Sequence, residues 1–418
     1  MTNVATDKSL RSVAAITLFL CFCTAVIEGI DLQSMGLAAP KLAPEFHFTA
    51  SQMKWVMLAS PAGLFVGALV GGRMADQWGR KVALLGSIFI FGLFQLATAW
   101  AQAIDFGGAS LSVYWVLIIV RVLCGLGLGG ALPNLIALVA EASGGKNNIL
   151  NVVITAAGMP TGGALASYIA FSGGEHGDWR TVFYIGGLAP LVLAPIMALA
   201  LPESKLFQLA KAAAGEVGIK VNSLVVLFGG GRAIASLLLW IGLFFTTLVL
   251  YLLLNWLPTL MISKGFTKTE ANFIQIFFNV GSAVGSIVLG WLMQRKPSRM
   301  ILFVCYVGVA VSLMGLMYVG KDLALAITGE AVVGTFLLGA QYILYGLTPT
   351  FYRTAVRGTG TGAAVAAGRF GSAVGPYLGG ALLGAGQGAA QVLQSLLPVT
   401  AAAAVAAILL MFCKRAED

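Results

Sequence analysis

The sequence holds 418 residues, 59% of them hydrophobic and 10% charged, with 53 glycines and a mean hydropathy of +0.92. Soluble domains carry about 25% charged residues, so a water-soluble globule is excluded, and the apolar content excludes a disordered chain. The +9 formal charge is spread through short loops instead of forming one dense patch, which argues against a nucleic-acid partner and reads as a membrane-topology signal.

A spanning helix needs about 20 apolar residues. In chain order, such segments fall at 12–37, 52–73, 82–101, 112–140, 148–171, 180–201, 233–260, 270–293, 299–319, 324–350, 359–384 and 389–413. Twelve spans predict an all-helical membrane protein. The longest polar interruption, 202–232, divides them six and six, so the expected domains are 1–201, a cytoplasmic linker 202–232, and 233–418. With the N-terminus inside, seventeen Lys and Arg fall in cytoplasmic stretches and six outside (Lys41, Lys54, Arg180, Lys264, Lys268 and Lys321). That asymmetry predicts both termini in the cytoplasm. No removable signal peptide is expected, because the first apolar run continues to about residue 37. The halves echo each other: Gly67-x-x-x-x-Gly72 ends span two before a basic turn, and Gly285-x-x-x-x-Gly290 ends span eight before Arg295, Lys296 and Arg299. Internal repeats of this kind mark transporters and predict a substrate site near the midplane.

Four charges lie inside spans: Glu28 and Asp31 in the first, Arg121 in the fourth and Arg369 in the eleventh. Each costs roughly 2.5 to 3.5 kcal/mol at the bilayer centre, so they must face a cavity or one another. Glu28 and Asp31, three residues apart, share one helix face. Glu28 and Arg121 are expected at similar depth, about 12 to 14 Å from the outer ends of their spans. Asp31 is the expected proton carrier, helped by Glu28 and Arg121, and Arg369 the expected carboxylate clamp, since a guanidinium grips a carboxylate with two parallel bonds. Tyr251, Asn255, Tyr342 and Asn134 are candidates for the pocket around a ring. Glu330, early in span ten, reads as interfacial. The five cysteines lack metal or disulfide spacing, and no nucleophile–base pair or phosphate loop is present, so neither an enzyme, a metal site nor a cofactor is expected beyond protons as coupling ion.

The turn after span two reads Gly72-Arg-Met-Ala-Asp76-Gln-Trp-Gly79-Arg80-Lys81. It resembles the G-x-L-A-D-R-x-G-R-K signature of the major facilitator superfamily, with Met74 and Gln77 as departures. Span four carries Arg121-x-x-x-Gly125-x-Gly127, span six ends Pro202-Glu203-Ser204, and span five gives only a partial echo of the antiporter motif in Gly158-Met-Pro160-Thr-Gly162-Gly163, which favours symport. Glu28-Gly-Ile-Asp31, Trp256-Leu257-Pro258, Arg357-Gly358-Thr359-Gly360 and Gly368-Arg369 are together similar to the aromatic acid:H+ symporter family. Gly129-Gly-Ala-Leu-Pro-Asn-Leu-Ile-Ala-Leu138 is nearest its hydroxyphenylpropionate branch. The family has Asp where Glu28 stands, and the second repeat has Gln294 where Asp76 would be. The loop after span four, normally Arg-rich, reads Gly144-Gly-Lys146-Asn-Asn148.

This resemblance implies two pseudo-symmetric six-helix bundles and proton-coupled uptake of an aromatic carboxylate such as hydroxyphenylpropionate or hydroxybenzoate. It further implies a gate built from Asp76, Gly72, Gly79, Arg80, Glu141 and Arg357, in which the acid at Asp76 caps a helix of the other half. The expected setting is a bacterial inner membrane, as a monomer in lipid. A carrier for another organic anion, a sugar or a drug is the alternative within transport.

Overall fold

A computed structural model describes residues 2–105, 110–142, 154–203, 228–229, 232–292, 295, 298–352 and 357–414. Hydrocarbon offers no partner to backbone N–H and C=O groups, so a chain this apolar satisfies them within helices. Twelve form among the described residues. They are α1 (Thr2–Glu45), α2 (Ala50–Trp78), α3 (Arg80–Ala99), α4 (Val113–Ala142), α5 (Gly158–Ser172), α6 (Arg180–Ala200), α7 (Ala233–Ser263), α8 (Lys268–Leu292), α9 (Ser298–Tyr318), α10 (Leu323–Leu347), α11 (Arg357–Gly384) and α12 (Ala389–Leu410). Each apolar segment of the sequence falls on one of them. Nine are long and apolar enough to cross a membrane. A two-residue hairpin, Ile104–Asp105 paired with Ser110–Leu111, joins α3 to α4, and a 3-10 turn, Thr348–Phe351, follows α10. Of the expected linker 202–232, residues 204–227 lie outside the described residues, as do 143–153, with Lys146, and Gln294.

By contacts the chain divides into two compact units. The first comprises Met1–Ser34, Ala59–Ile169 and Gly177–Val217; the second comprises Met35–Leu58, Ala170–His176 and Gly218–Asp418. In the first, a side chain added at Gly63 would strike the carbonyl of Val122, and one at Gly125 that of Ser60, so α2 and α4 touch backbone to backbone. Gly29 and Gly162 bring α1 and α5 equally close, at Met159 and Val26. The second unit repeats both pairings: Gly281 and Gly334 seat α8 on α10, while Gly371 and Gly375 seat α11 on α7. Small residues at helix contacts are how bundles gain van der Waals packing where lipid supplies no hydrophobic drive. The sequence echo at Gly67 and Gly285 thus corresponds to one packing scheme used twice.

Within the second unit, the end of α1 and the start of α2 pack on α7 and α11. Lys54 lies 4.8 Å from the ring of Tyr377, whose neighbour Trp55 meets it edge-on at 5.1 Å. Glu175 accepts from the Thr269 backbone N–H (2.9 Å) and hydroxyl (3.1 Å) at the start of α8. That backbone hydrogen bond, aided by the hydroxyl and by Lys268 and Lys41, holds its carboxyl below the ordinary carboxylate range. The charged contact therefore persists at neutral pH and weakens as acid protonates it.

The distribution of polarity is inverted relative to a soluble protein. Phe89, Ile119, Val192, Val284 and Val311 are exposed in mid-helix, while Glu28, Asp31, Gln95, Arg121, Asn279, Glu330 and Arg369 are buried. Outward apolar side chains are what lipid demands.

Gly125→Val should push α2 from α4 and destabilise the fold by about 1 to 3 kcal/mol. Gly315→Ala, where a Cβ meets nothing within 4 Å, should leave it unchanged or slightly raised, both read from thermal unfolding in detergent.

Candidate functional site

The first unit gathers a buried polar cluster on three helices. Glu28, Asp31 and Ser34 follow one another at three-residue spacing on α1, Gln95 projects from α3, and Arg121 and Cys124, again three apart, from α4. Arg121 Nη1 donates to Asp31 Oδ1 at 2.9 Å and to Gln95 Oε1 at 2.6 Å. The two charged side chains are 2% and 0% exposed. Gln95 Nε2 in turn donates to Ser34 Oγ (3.1 Å), which donates to the Ile30 carbonyl (2.7 Å). Cys124 Sγ sits 3.5 Å from Asp31 Oδ1 and 3.7 Å from Gln95 Oε1. The ring of Phe183 lies 5.8 Å from the guanidinium carbon of Arg121. Ile27, Leu64, Phe91 and Leu128 pack with Cys124 as an apolar jacket.

Around the ion pair, Asp31 Oδ2 and Arg121 Nε have no hydrogen-bond partner among the described residues. The ion pair is therefore a single-point contact, not a two-bond fork. One carboxylate oxygen meets the arginine at 2.9 Å, and the other makes no hydrogen bond among the described residues. Glu28 is 1% exposed one turn earlier on α1. Depth had matched Glu28 to Arg121; the acid that takes the Nη1 hydrogen is Asp31. Gln95, Ser34 and Cys124 were not foreseen. Gln95 is the one amide of the third span, and Ser34 and Cys124 fall at i+3 from Asp31 and Arg121, so spacing carried the signal.

In the second unit Arg369 of α11 is 8% exposed, and its Nη1 lies 3.3 Å from the Tyr251 hydroxyl of α7. Thr247, one turn before Tyr251, donates to the Gly368 carbonyl at 2.7 Å and fixes the helix beside the arginine. Asn255, one turn after Tyr251, donates its amide to the Tyr251 carbonyl at 2.9 Å. Tyr342 is half-buried on α10. Asn134 belongs to α4 in the first unit and donates back to Gly130 at 2.8 Å. Each asparagine thus spends one N–H on its own helix.

Among the gating candidates, Gly79 has φ 104°, a left-handed turn that suits glycine, and opens α3, whose first residue is Arg80. Glu203, from the Pro202-Glu203 ending, accepts from the Lys81 backbone N–H at 3.1 Å, and Lys81 Nζ donates to the Ala198 carbonyl at 2.7 Å. A carboxylate at a helix N-terminus is favourable, so this ending serves as a cap for α3. Gly72 and Asp76 lie in the last turns of α2, Glu141 at the end of α4 and Arg357 at the start of α11; their side chains fall outside the described residues. Glu330, read from sequence as interfacial, is instead fully buried.

Twelve helices in two sets of glycine-packed pairs, with charged side chains buried among them, fit a membrane transporter, and the profile of the Major Facilitator Superfamily matches residues 21–376. The chain belongs to that family. It is 41% identical over 410 residues to a 3-(3-hydroxy-phenyl)propionate transporter of Escherichia coli, covering 98% of this chain and 97% of the relative. It is 32% identical to a gallate transporter of Pseudomonas putida (96% and 92% covered) and 33% identical to a 4-hydroxybenzoate transporter of Pseudomonas aeruginosa (94% and 91%). The fold is similar to that of a D-xylose–proton symporter, with a TM-score of 0.70 at 18% identity over 98% of this chain and 97% of that one. A nucleoside transporter gives 0.74 at 14% over 96% and 100%.

Gln95→Leu removes a neutral acceptor from a buried cation, at a cost of about 1.5 to 3 kcal/mol. The expected outcome is a lower unfolding temperature together with a shifted pH profile of uptake, since Arg121 would then lean wholly on Asp31. A stability loss with an unmoved pH profile would reduce Gln95 to packing.

Proposed function

We propose that this transporter imports aromatic carboxylates together with protons across a bacterial inner membrane, with both termini cytoplasmic. The observation that carries the reading is the buried Asp31–Arg121 pair with one acid oxygen left without a partner. A carboxylate held at one oxygen by a permanent cation is kept from lipid, yet has a second oxygen, without a hydrogen-bond partner among the described residues, to receive a proton. Protonation cancels its attraction for Arg121 and loosens the link between α1 and α4. Once Asp31 is protonated, Glu28, one turn away, is the acid left to balance the arginine.

Substrate class is supported by the relatives, which are transporters of hydroxylated aromatic acids. In this reading the Arg369 guanidinium takes the substrate carboxylate, and the Tyr251 hydroxyl beside it turns to the anion as a second donor. Tyr342 offers a ring face, and Asn255, with an N–H already committed to its helix, offers a carbonyl oxygen to a phenolic hydroxyl. Asp76, Gly72, Gly79, Arg80, Glu141 and Arg357 serve as the inner gate of two six-helix halves, 1–201 and 233–418, joined by 202–232, and the protein acts as a monomer. No cofactor takes part besides the proton.

The test is uptake of labelled 3-hydroxyphenylpropionate into proteoliposomes with and without an imposed inward pH gradient. Accumulation should require the gradient; equal uptake in both conditions sinks proton coupling. Asp31→Asn should abolish gradient-driven accumulation while substrate exchange at equal pH persists. Arg369→Lys keeps the charge but loses the planar fork, so substrate affinity should fall at least tenfold, measured by competition, with the pH dependence of the remaining uptake intact.

A further inference from the structure

We propose that Glu330 is a second proton-carrying carboxylate, so that each monoanion enters with two protons; this deepens the symport reading above and rests on it for its transport consequences. Glu330 is the eighth residue of α10, about 10 Å along it at 1.5 Å per residue. It is 0% exposed, and neither of its oxygens has a hydrogen-bond partner among the described residues. An ionised carboxylate with neither hydrogen bond nor counter-charge is not tolerated in an apolar interior. In this conformation the group therefore holds a proton.

What surrounds it separates a working site from an inert one. α10 packs against α7, α8, α9 and the 3-10 turn. Along α8 runs a buried polar stripe, Asn272, Gln275, Asn279, Ser282 and Ser286, at alternating spacings of three and four and each no more than 4% exposed. Such a row on one face of a spanning helix is costly in hydrocarbon and marks a path for water or ions. The stripe meets α10 directly: a Cβ at Gly334 would touch Ser282 Oγ, and Thr335 donates to the Gly281 carbonyl at 2.9 Å. α8 and α10 run parallel, so one turn from Gly334 to Glu330 matches one turn from Ser282 to Phe278 and Asn279. Glu330 thus sits level with the middle of the stripe.

Ionisable groups on the packed elements are few. α8 has Lys268 and Glu270 in its first turn, α9 has Arg299, Cys305, Tyr306 and Tyr318, α7 has Tyr251, the 3-10 turn has none, and α10 adds Tyr342 and Tyr345. Tyr306 shares its hydroxyl with Thr246 at 2.6 Å. No basic side chain lies on the inward stretches of these helices, so protonation alone can neutralise Glu330. Glu28, Asp31, Arg121 and Arg369 sum to zero, and an ionised Glu330 makes the set −1. Two protons and one monoanion bring the loaded carrier back to neutrality. The empty carrier returns with a negative charge, and transport becomes responsive to membrane potential.

The experiment measures uptake into proteoliposomes under a pH gradient alone and under a valinomycin-set potassium potential, inside negative, at equal pH. In the wild type both should drive accumulation; in Glu330→Gln the pH-driven arm should survive and the potential-driven arm vanish. A Glu330→Gln protein as sensitive to potential as the wild type overturns the proposal. Glu330→Asp, which keeps a carboxyl, should retain the potential response and stands in if the Gln variant misfolds; its loss of that response also counts against the idea. If the wild type accumulates nothing under either force, symport itself fails. Glu330 is then decided by infrared titration of the purified protein. A protonated-carboxyl band that disappears on alkalinisation in the wild type and is missing from Glu330→Gln sustains the site, and a band constant at every pH overturns it.

Discussion

The ion pair between Asp31 and Arg121 is the constraint around which the first unit is organised. Neither charge is tolerable alone in hydrocarbon, where each costs roughly 2.5 to 3.5 kcal/mol even on lenient scales. Removing one partner of a buried pair costs about 3 to 5 kcal/mol, because the other is stranded. The pair is only partly closed: Gln95 shares the donor that reaches Asp31, and one oxygen of the acid is unengaged. A fully forked pair would be more stable and would have no reason to exchange a proton. Incomplete satisfaction, jacketed by Ile27, Leu64, Phe91 and Leu128, is the feature on which the proposed proton exchange rests.

Holding that contact on three helices requires that they come close enough for short polar side chains to meet. Glycine provides the approach. The carbonyls of Met159 and Val26 lie where side chains on Gly29 and Gly162 would stand, so α1 is clamped by α5 on the turns that carry Glu28 and Asp31. α2 clamps α4 in the same way at Gly125, one turn from Arg121. The second unit uses identical pairings, α7 with α11 and α8 with α10, and there the clamped turns carry Tyr251, Arg369 and the α8 stripe. Close packing and chemistry share the same helix faces because only a glycine-lined contact excludes lipid from a polar group.

The twelve spans were legible because a bilayer sets a length scale that composition must meet, and the repeat because helix pairing by small residues leaves a spacing trace. Asp31, Arg121 and Arg369 were legible because an in-membrane charge is rare enough to stand out. Which acid would meet Arg121 was not. A depth estimate good to one turn cannot separate Glu28 from Asp31, which differ by less than a turn, and the choice depends on rotation about α1. Gln95 and Cys124 were missed because neutral polar residues inside spans are common, and only their convergence on one guanidinium distinguishes them. Glu330 was misread for a related reason: a residue eight positions from a helix start can face headgroups or a neighbouring helix, and α8 decides which.

The two units therefore solve the problem of a buried carboxyl differently. In the first, a permanent cation stands 2.9 Å from the acid, and in the symport reading proposed above a proton competes with arginine for it. In the second, neither oxygen of Glu330 has a hydrogen-bond partner among the described residues, so in the proposal above the proton itself is the counter-charge. The two groups respond to hydration in opposite senses. Under the two proposals, water entering beside Asp31 would weaken its hold on Arg121 and ease protonation, whereas water reaching the Asn272–Ser286 row would stabilise the ionised form of Glu330 and favour release. A carrier that must load protons on one side and unload them on the other gains direction from having one acid of each kind.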